Sequence, residues 1–274
     1  MIGVKEPQAK YTSLFELMSS KQNKNIVDYV TNSSELTYYD YKGTMVPRVS
    51  LILDKAIGNK GLVDWAGRVG YNKMVNIRES SLAIGSIVHE MIEYNLKYDQ
   101  DKEVNFSDYN LSPQDMEAVD CAYTNYKLWK RNLYSTGHAI NEIVAVELPV
   151  SCPWYGGTID CIMRINNGLY LVDFKTSKSI SQNYLYQICS YAWLVNCGYT
   201  HIKEYLTGLG ILRFDKTCKG VYEEYFLSFY DPAQTNIIYQ YTKTFWAIVY
   251  SFYNMEYSSS LLEDTLKKEE YNIS

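Results

Sequence analysis

Two aspartates and a lysine form the part of this sequence best suited to chemistry. Asp160 ends the run GGTID, and Asp173 and Lys175 lie further along in LVDFKT. Strand alternation would place Asp173 and Lys175 on one face, and a hairpin between the two runs would bring Asp160 beside Asp173. Two half-buried carboxylates are costly unless a cation offsets their charge. Because hard divalent ions prefer oxygen ligands, the pattern predicts a site for Mg²⁺ or Mn²⁺.

Other interpretations of this pattern remain open on spacing alone. A D-x-K triplet on a strand is most often a solvated face or a surface salt bridge, and GTID could simply be a turn that leads into a strand. Whether these three residues indicate a metal site therefore depends on the other candidate residues along the chain.

Three further regions carry candidate residues. His89 lies on a helical run, where a core or surface position is the ordinary alternative. An acidic residue precedes the hairpin, and either Glu147 or Glu142 could fill that place. Gln187 and Tyr191 are four apart and so share a helix face. The tyrosines of this helix, Tyr191 and Tyr184, could equally pack into a core.

The order of these residues resembles the RecB-like branch of the PD-(D/E)XK nucleases. The resemblance is strongest to the mitochondrial genome maintenance exonuclease type and its phage relatives. It covers roughly residues 47–200 and rests on four motifs: GSIVH at 85–89, GGTID at 156–160, DFKT at 173–176 and QICSY at 187–191. The resemblance implies hydrolysis of a phosphodiester bond.

The same resemblance implies roles for individual residues. Asp160, Asp173 and the backbone carbonyl of Phe174 would bind the metal, with His89 and Glu147 as further metal-side ligands. Lys175 would orient or deprotonate the attacking water, and Gln187 would help hold the lysine and the ligands. The residues expected to contact nucleic acid are Tyr191, Tyr184 and Lys178.

The expected cofactor is Mg²⁺ or Mn²⁺, with no iron–sulfur cluster, because only Cys218 lies beyond Cys197 where clustered relatives carry three cysteines. The expected substrate is DNA, single-stranded or with free ends, cut by an exonuclease or flap-processing enzyme in recombination or replication. A separate recombination or replication partner is conceivable. The alternatives are a structure-selective endonuclease and a DNA-binding protein on a degenerate nuclease scaffold.

Bulk composition limits these expectations. The net charge is −5, so any contact with DNA must be local rather than that of a basic domain. Basic residues that could line a channel for a single strand are Lys60, Arg68, Lys73, Arg78, Lys127, Lys130 and Arg131. The six cysteines show no metal spacing and are expected to be free thiols. With no apolar span or leader pattern, the expected location is the cytoplasm, away from membranes.

The elements that must position these residues are those of a mixed α/β fold. The pattern predicts three helices within 47–97, a helix over 112–133 and three β segments over 140–150, 157–165 and 168–174. A helix over 181–197, strands over 205–214 and 221–229, and a helix over 232–253 follow. We expect a mostly antiparallel or mixed sheet flanked by helices, as in a restriction-endonuclease-like core. The expected division is an N-terminal segment (1–46), a helical region (47–135), the core (136–255) and a tail (256–274).

Overall fold

The computed structural model describes residues 38–57, 67–109, 111–135 and 138–271, with no side-chain description for Tyr38 or for 260–271. Two short strands begin the described chain, β1 (Tyr38–Tyr41) and β2 (Thr44–Pro47), and three helices follow: α1 (Val49–Ile57), α2 (Tyr71–Tyr98) and α3 (Pro113–Ser135). The rest comprises β3 (Ile140–Ser151), β4 (Gly156–Ile165), β5 (Gly168–Lys175), α4 (Gln182–Asn196), β6 (Gly208–Phe214), β7 (Tyr222–Ser228) and α5 (Pro232–Tyr271). Lys60 and the segment before residue 38 lie outside the described residues.

Strands β3 to β7 form one mixed sheet in the order β3-β4-β5-β6-β7. All neighbours are antiparallel except β5 and β6, which are parallel and are joined through α4. A parallel pair needs such a crossover connection, since a tight turn can join only antiparallel strands. The expected class, a mixed α/β fold with helices flanking a central sheet, is confirmed.

Strands β4 and β5 form the predicted hairpin. Asn166 and Asn167 make its two-residue turn, and both have positive φ, 48° and 69°. A two-residue hairpin turn of this kind requires left-handed backbone at both positions, which asparagine tolerates better than most residues. The turn fixes the register of the two strands and therefore places Asp160 near Asp173 across the sheet.

Each face of the sheet is covered by its own apolar core. On one face Ile162 and Leu171 pack with residues of α1, α4 and α5; on the other, Cys161, Val172 and Phe174 pack with α2 and α3. Neighbouring strand residues thus enter opposite cores, as the alternation of a fully covered strand requires. This covering holds β4 and β5 rigidly at the centre of the sheet.

Two expectations need correction. α5 extends for 40 residues to Tyr271, well past the predicted end at 253. Of the three helices expected within 47–97, α1 and α2 are two, and the third falls largely on residues 58–66, which lie outside the described residues. Free thiols were the wrong expectation for Cys121 and Cys218, which form a disulfide. They are 97 positions apart in sequence and meet because the β6–β7 turn lies against α3, a contact that cysteine spacing does not encode.

Within the described residues, no helix is both apolar and long enough to cross a bilayer.

Candidate active site

A cleft of about 970 Å³ opens between α2 and the segments that follow β5 and β6. Because β5 and β6 are parallel, the chain leaves both strands at the same edge of the sheet, the place where open α/β sheets form binding crevices. The cleft is lined by Arg78, Ser81, Leu82, Gly85, Ser86, His89, Glu90, Glu93, Glu147, Asp160, Lys175, Thr176, Ser177, Lys178, Tyr184, Asp215, Lys216 and Thr217. Sequence motifs far apart in the chain therefore meet here.

Asp160 lies where the β4–β5 ladder stops. The last backbone pair is Cys161 with Val172, and beyond it the Asp160 Oδ2 accepts a hydrogen bond from the Phe174 N–H at 2.8 Å. A side chain thus takes the place of the next ladder bond and holds the two strands together as they separate. The His89 Nδ1 lies 3.6 Å from the same carboxylate oxygen. The Phe174 ring is buried in the core beside α3, and metal binding by its carbonyl stays a prediction.

Asp173 and Lys175 form an ion pair in which Lys175 lines the cleft and Asp173 is buried outside it. The Lys175 Nζ lies 2.8 Å from Oδ1, with hydrogen-bond geometry, and 2.7 Å from Oδ2 as a charge contact only. Oδ2 is buried and has no hydrogen-bond partner within the described part of the chain. Burial raises the pKa of Asp173 to about 6, with Lys175 opposing the rise and Asp160 adding to it.

Lys175 is held as an ammonium. Burial lowers the pKa of Lys175, but the charges of Asp173 and Asp160 outweigh burial and raise it overall. A lysine with a raised pKa binds and orients anions better than it accepts a proton. Of the two roles that the resemblance allowed, the electrostatics favour orientation over deprotonation.

Glu147 is the acidic residue of β3 that reaches the cleft. Its neighbours pair with Cys161 and Ile159, so Glu147 lies opposite Asp160. Its φ is +49°, in the left-handed region that a non-glycine residue seldom adopts within a strand. Burial and then the charge of Asp160 raise the pKa of Glu147, while His89 lowers it. The alternative, Glu142, instead pairs with Arg164 on the surface at 3.2 Å.

Donor atoms of His89, Glu147 and Asp160 all lie within 4.8 Å of one another. They fit a divalent cation, because two carboxylates and an imidazole converge and the nearby Lys175 ammonium is already paired with Asp173. Asp173 is not part of this group and does not line the cleft, so its role as a metal ligand stays a prediction. Carboxylates suit Mg²⁺ and Mn²⁺, and the imidazole adds a nitrogen ligand of the kind transition metals prefer.

The predicted residues of α4 and its approach fall into two groups. Tyr184 and Lys178 line the cleft, and the Lys175 Nζ lies 4.9 Å from the centre of the Tyr184 ring. Gln187 and Tyr191 do not line it; the amide of Gln187 donates to the hydroxyl of Tyr191 at 3.3 Å. Tyr191 is 4% exposed. This placement favours packing over direct contact with a nucleic acid for Tyr191.

Of the basic residues considered for a channel, the structure brings Arg78 into the cleft. Lys127 and Lys130 instead pair with Asp101 and Asp99 on the outer surface of α3. The sequence pattern missed Lys216, which joins the cleft because it follows β6. The signal that could have found it is the parallel pairing of β6 with β5, which no local pattern shows.

No protein-family model matches the sequence, and no curated protein matches it. Among solved structures, the crystal structure of SSO0001 is similar at a TM-score of 0.34 and 12% identity, over 83% of this chain and 86% of that one. A likeness at this level supports no conclusion about function.

Proposed function

We propose that this chain is a nuclease dependent on Mg²⁺ or Mn²⁺ that hydrolyses DNA, acting on single strands or free ends as an exonuclease or flap-processing enzyme in recombination or replication. One observation carries the proposal: His89, Glu147, Asp160 and Lys175 line one cleft, and the buried Asp173 is ion-paired with Lys175. These are the residues that the resemblance to PD-(D/E)XK nucleases selects.

The proposed division of labour follows from the contacts. His89, Glu147 and Asp160 would hold the cation, with Asp173 as a further oxygen ligand. A divalent cation bound there lowers the pKa of water and stabilises negative charge on a phosphate. Lys175 binds a phosphate oxygen and orients the attacking water, because its ammonium is a compact point charge.

Two neighbours keep Lys175 in place for that role. Asp173 forms an ion pair with the Lys175 ammonium, and the Tyr184 ring lies at cation–π distance from the same ammonium. A charge that is already positioned before the substrate arrives costs no reorganisation during the reaction, which is the main source of electrostatic catalysis. Asp173 and Tyr184 act in this scheme as positioning residues for the lysine.

The proposal is tested by hydrolysis of an end-labelled DNA single strand with Mg²⁺, with Mn²⁺ or with EDTA. Lys175→Ala should reduce the rate by roughly 10²- to 10⁴-fold, the usual range for loss of a catalytic proton-handling or charged group. EDTA should abolish cleavage by the wild type. The matched control is Lys243→Ala, since Lys243 is exposed on α5 and does not line the cleft. Cleavage that survives both the chelator and Lys175→Ala would overturn the site assignment.

The choice between exonuclease and endonuclease needs a second substrate. A covalently closed circular strand has no end, so an exonuclease should leave it intact while degrading the linear form. Cleavage of both at comparable rates would favour the structure-selective endonuclease instead.

A further inference from the structure

We propose that Lys216, together with Arg78 and Lys178, forms a phosphate-binding subsite for the nucleic-acid strand at the end of the cleft remote from His89 and Glu147. The inference rests on the proposed function, because it takes the occupant of the cleft to be a nucleic-acid strand. It adds a position at which the strand is held away from the bond that is cut.

The three cations share one end of the cleft. Lys216 is close enough to Lys178 and to Asp115 for both charges to act on its pKa. Asp115 accepts a hydrogen bond from Ser80 at 2.6 Å, and Ser80 lies on α2 two positions after Arg78. The opposite end of the cleft carries the acidic groups Glu93 and Glu147.

None of the three cations is paired with another residue of the described ranges. Within the described residues, Arg78, Lys178 and Lys216 make no ion pair and no hydrogen bond, whereas Lys175 is paired with Asp173. The carboxylate of Asp115 is taken by hydroxyls of Ser80 and Ser112. Burial, reinforced by Lys178, lowers the pKa of Lys216, so the site disfavours its own charge until an anion arrives.

The turn that carries Lys216 is built to hold it in place. The Asn125 amide, 1% exposed, donates to the carbonyls of Asp215 at 2.8 Å and Thr217 at 3.3 Å. The backbone N–H of Thr217 donates to the Asp215 carboxylate at 2.7 Å. The disulfide fixes the next residue, Cys218, to α3. These contacts fix the backbone of Lys216 at the edge of the cleft.

Arg213 links this turn to the other wall of the cleft. Its guanidinium is 2% exposed, pairs with Asp215 at 3.0 Å and donates to the carbonyl of Ser177 at 3.0 Å. The segments after β5 and β6 are therefore tied together beneath the cleft. Lys178 and Lys216, which follow β5 and β6, therefore lie on one rigid edge of the cleft.

The length of α2 sets the reach of the subsite. Arg78 and His89 are eleven positions apart on α2, which corresponds to about 16 Å along the helix axis. Phosphates on one strand of B-form DNA are spaced by about 3.4 Å along the axis, and those of an extended single strand are farther apart, so the subsite lies at most about five nucleotides from the metal-side residues. Leu82, 63% exposed between these two ends, offers an apolar surface to a base. A strand, more than a lone phosphate, matches this arrangement.

The test compares the binding of labelled single strands of about two and about ten nucleotides, measured by fluorescence anisotropy with Mg²⁺ in the Lys175→Ala background, so that the cation can hold the short strand while hydrolysis is slow. Lys216→Ala should weaken binding of the longer strand on the order of tenfold and lower its salt slope by about one, while leaving the shorter strand unchanged. Lys216→Glu should weaken it further. Lys219→Ala is the matched control, because Lys219 is exposed on the same turn and does not line the cleft.

The outcomes separate this inference from the proposed function. Equal loss for both lengths, or no loss for either, overturns the subsite even if the enzyme cleaves DNA. A length-dependent loss in a protein that never cleaves DNA would support the subsite and overturn the nuclease. Weakened binding in Lys219→Ala equal to that in Lys216→Ala would assign the effect to general charge and overturn the subsite as well.

Discussion

At the scale of single residues, the site concentrates acidic groups whose ionisation the fold resists. Burial is the first cause of the raised pKa at both Glu147 and Asp173, and the charge of Asp160 adds to it in each case. Glu147 also has a left-handed φ of +49°. Unfavourable burial and backbone strain at one residue are typical of positions kept for function at some expense of stability.

The variant Glu147→Gln tests whether Glu147 lowers the stability of the metal-free protein and binds the metal. Because the folded pKa of Glu147 is raised, its stabilising contribution is present at low pH and is lost as pH rises through that pKa. Without metal at pH 8, the variant should therefore be at least as stable as the wild type. The Tm increase produced by Mn²⁺ should fall sharply, because a ligand is lost.

Glu142→Gln provides the control on the same strand. Glu142 makes a surface ion pair with Arg164, which also pairs with Glu204, so its loss should cost under about 1 kcal/mol. Its response to Mn²⁺ should match that of the wild type. A full Mn²⁺ response in Glu147→Gln would remove Glu147 from the set of metal ligands.

At the scale of elements, α4 packs so closely on β4 that one glycine is required. A Cβ at Gly157 would come within 2.6 Å of the Cζ of Tyr191. Tyr191 therefore supports the strand that ends in Asp160, although it lies outside the cleft.

Gly157→Ala should destabilise the protein by about 1–3 kcal/mol, the usual cost of overpacking a core. Gly85→Ala is the contrast: its added Cβ would meet only Thr176 Oγ1, at 3.5 Å, and alanine favours the helix by about 0.5–1 kcal/mol. Thermal unfolding of both variants measures the difference. An unchanged Tm for Gly157→Ala would mean that Tyr191 is not seated against the strand.

The sequence was informative about local elements and silent about long-range pairing. The β4–β5 hairpin, with its Asn166–Asn167 turn, follows from alternation and turn chemistry, and both strand bounds lie within one residue of prediction. Gly198, with φ +78°, follows α4 as predicted from its position after the apolar run. These features depend on neighbours a few positions apart.

The site features that escaped prediction depend on distant contacts. Lys216 enters the cleft only because β6 pairs in parallel with β5. Glu147 was expected on the metal side, but the register shifts in the first half of β3 that set it opposite Asp160 were not predicted. Spacing along the chain predicted that Asp160 lies beside Asp173 and that Asp173 and Lys175 share one strand face. The burial that raises the pKa of Asp173 could not be predicted in this way, since it depends on cores contributed by other elements.

At the scale of the whole molecule, both the protein and its candidate site are acidic. The net charge is −5, Glu147 and Asp160 meet in the cleft, and the Lys175 ammonium nearby is paired with Asp173. Nothing in the overall charge attracts DNA, so under the proposed function a bound cation and the local basic groups would have to do so.

Bound Mg²⁺ should therefore stabilise the protein in a pH-dependent way. The raised pKa of Asp173, about 6, means that its contribution to stability is lost as pH rises through 6 in the metal-free protein. Protons compete with the cation below that pH. Calorimetry should show a larger Mg²⁺-induced rise in Tm at pH 7.5 than at pH 5, whereas an equal rise at both would contradict the role of these carboxylates.

The disulfide between Cys121 and Cys218 makes one wall of the cleft sensitive to reducing conditions. Cys218 is exposed, so a reductant can reach the bond, and its loss would leave the turn of Lys216 held mainly by Asn125 and Asp215. The groups proposed to break the phosphodiester bond lie on β4 and β5, away from that turn. If Lys216 binds the strand as proposed, reduction of this disulfide should weaken the binding of long strands more than that of short ones.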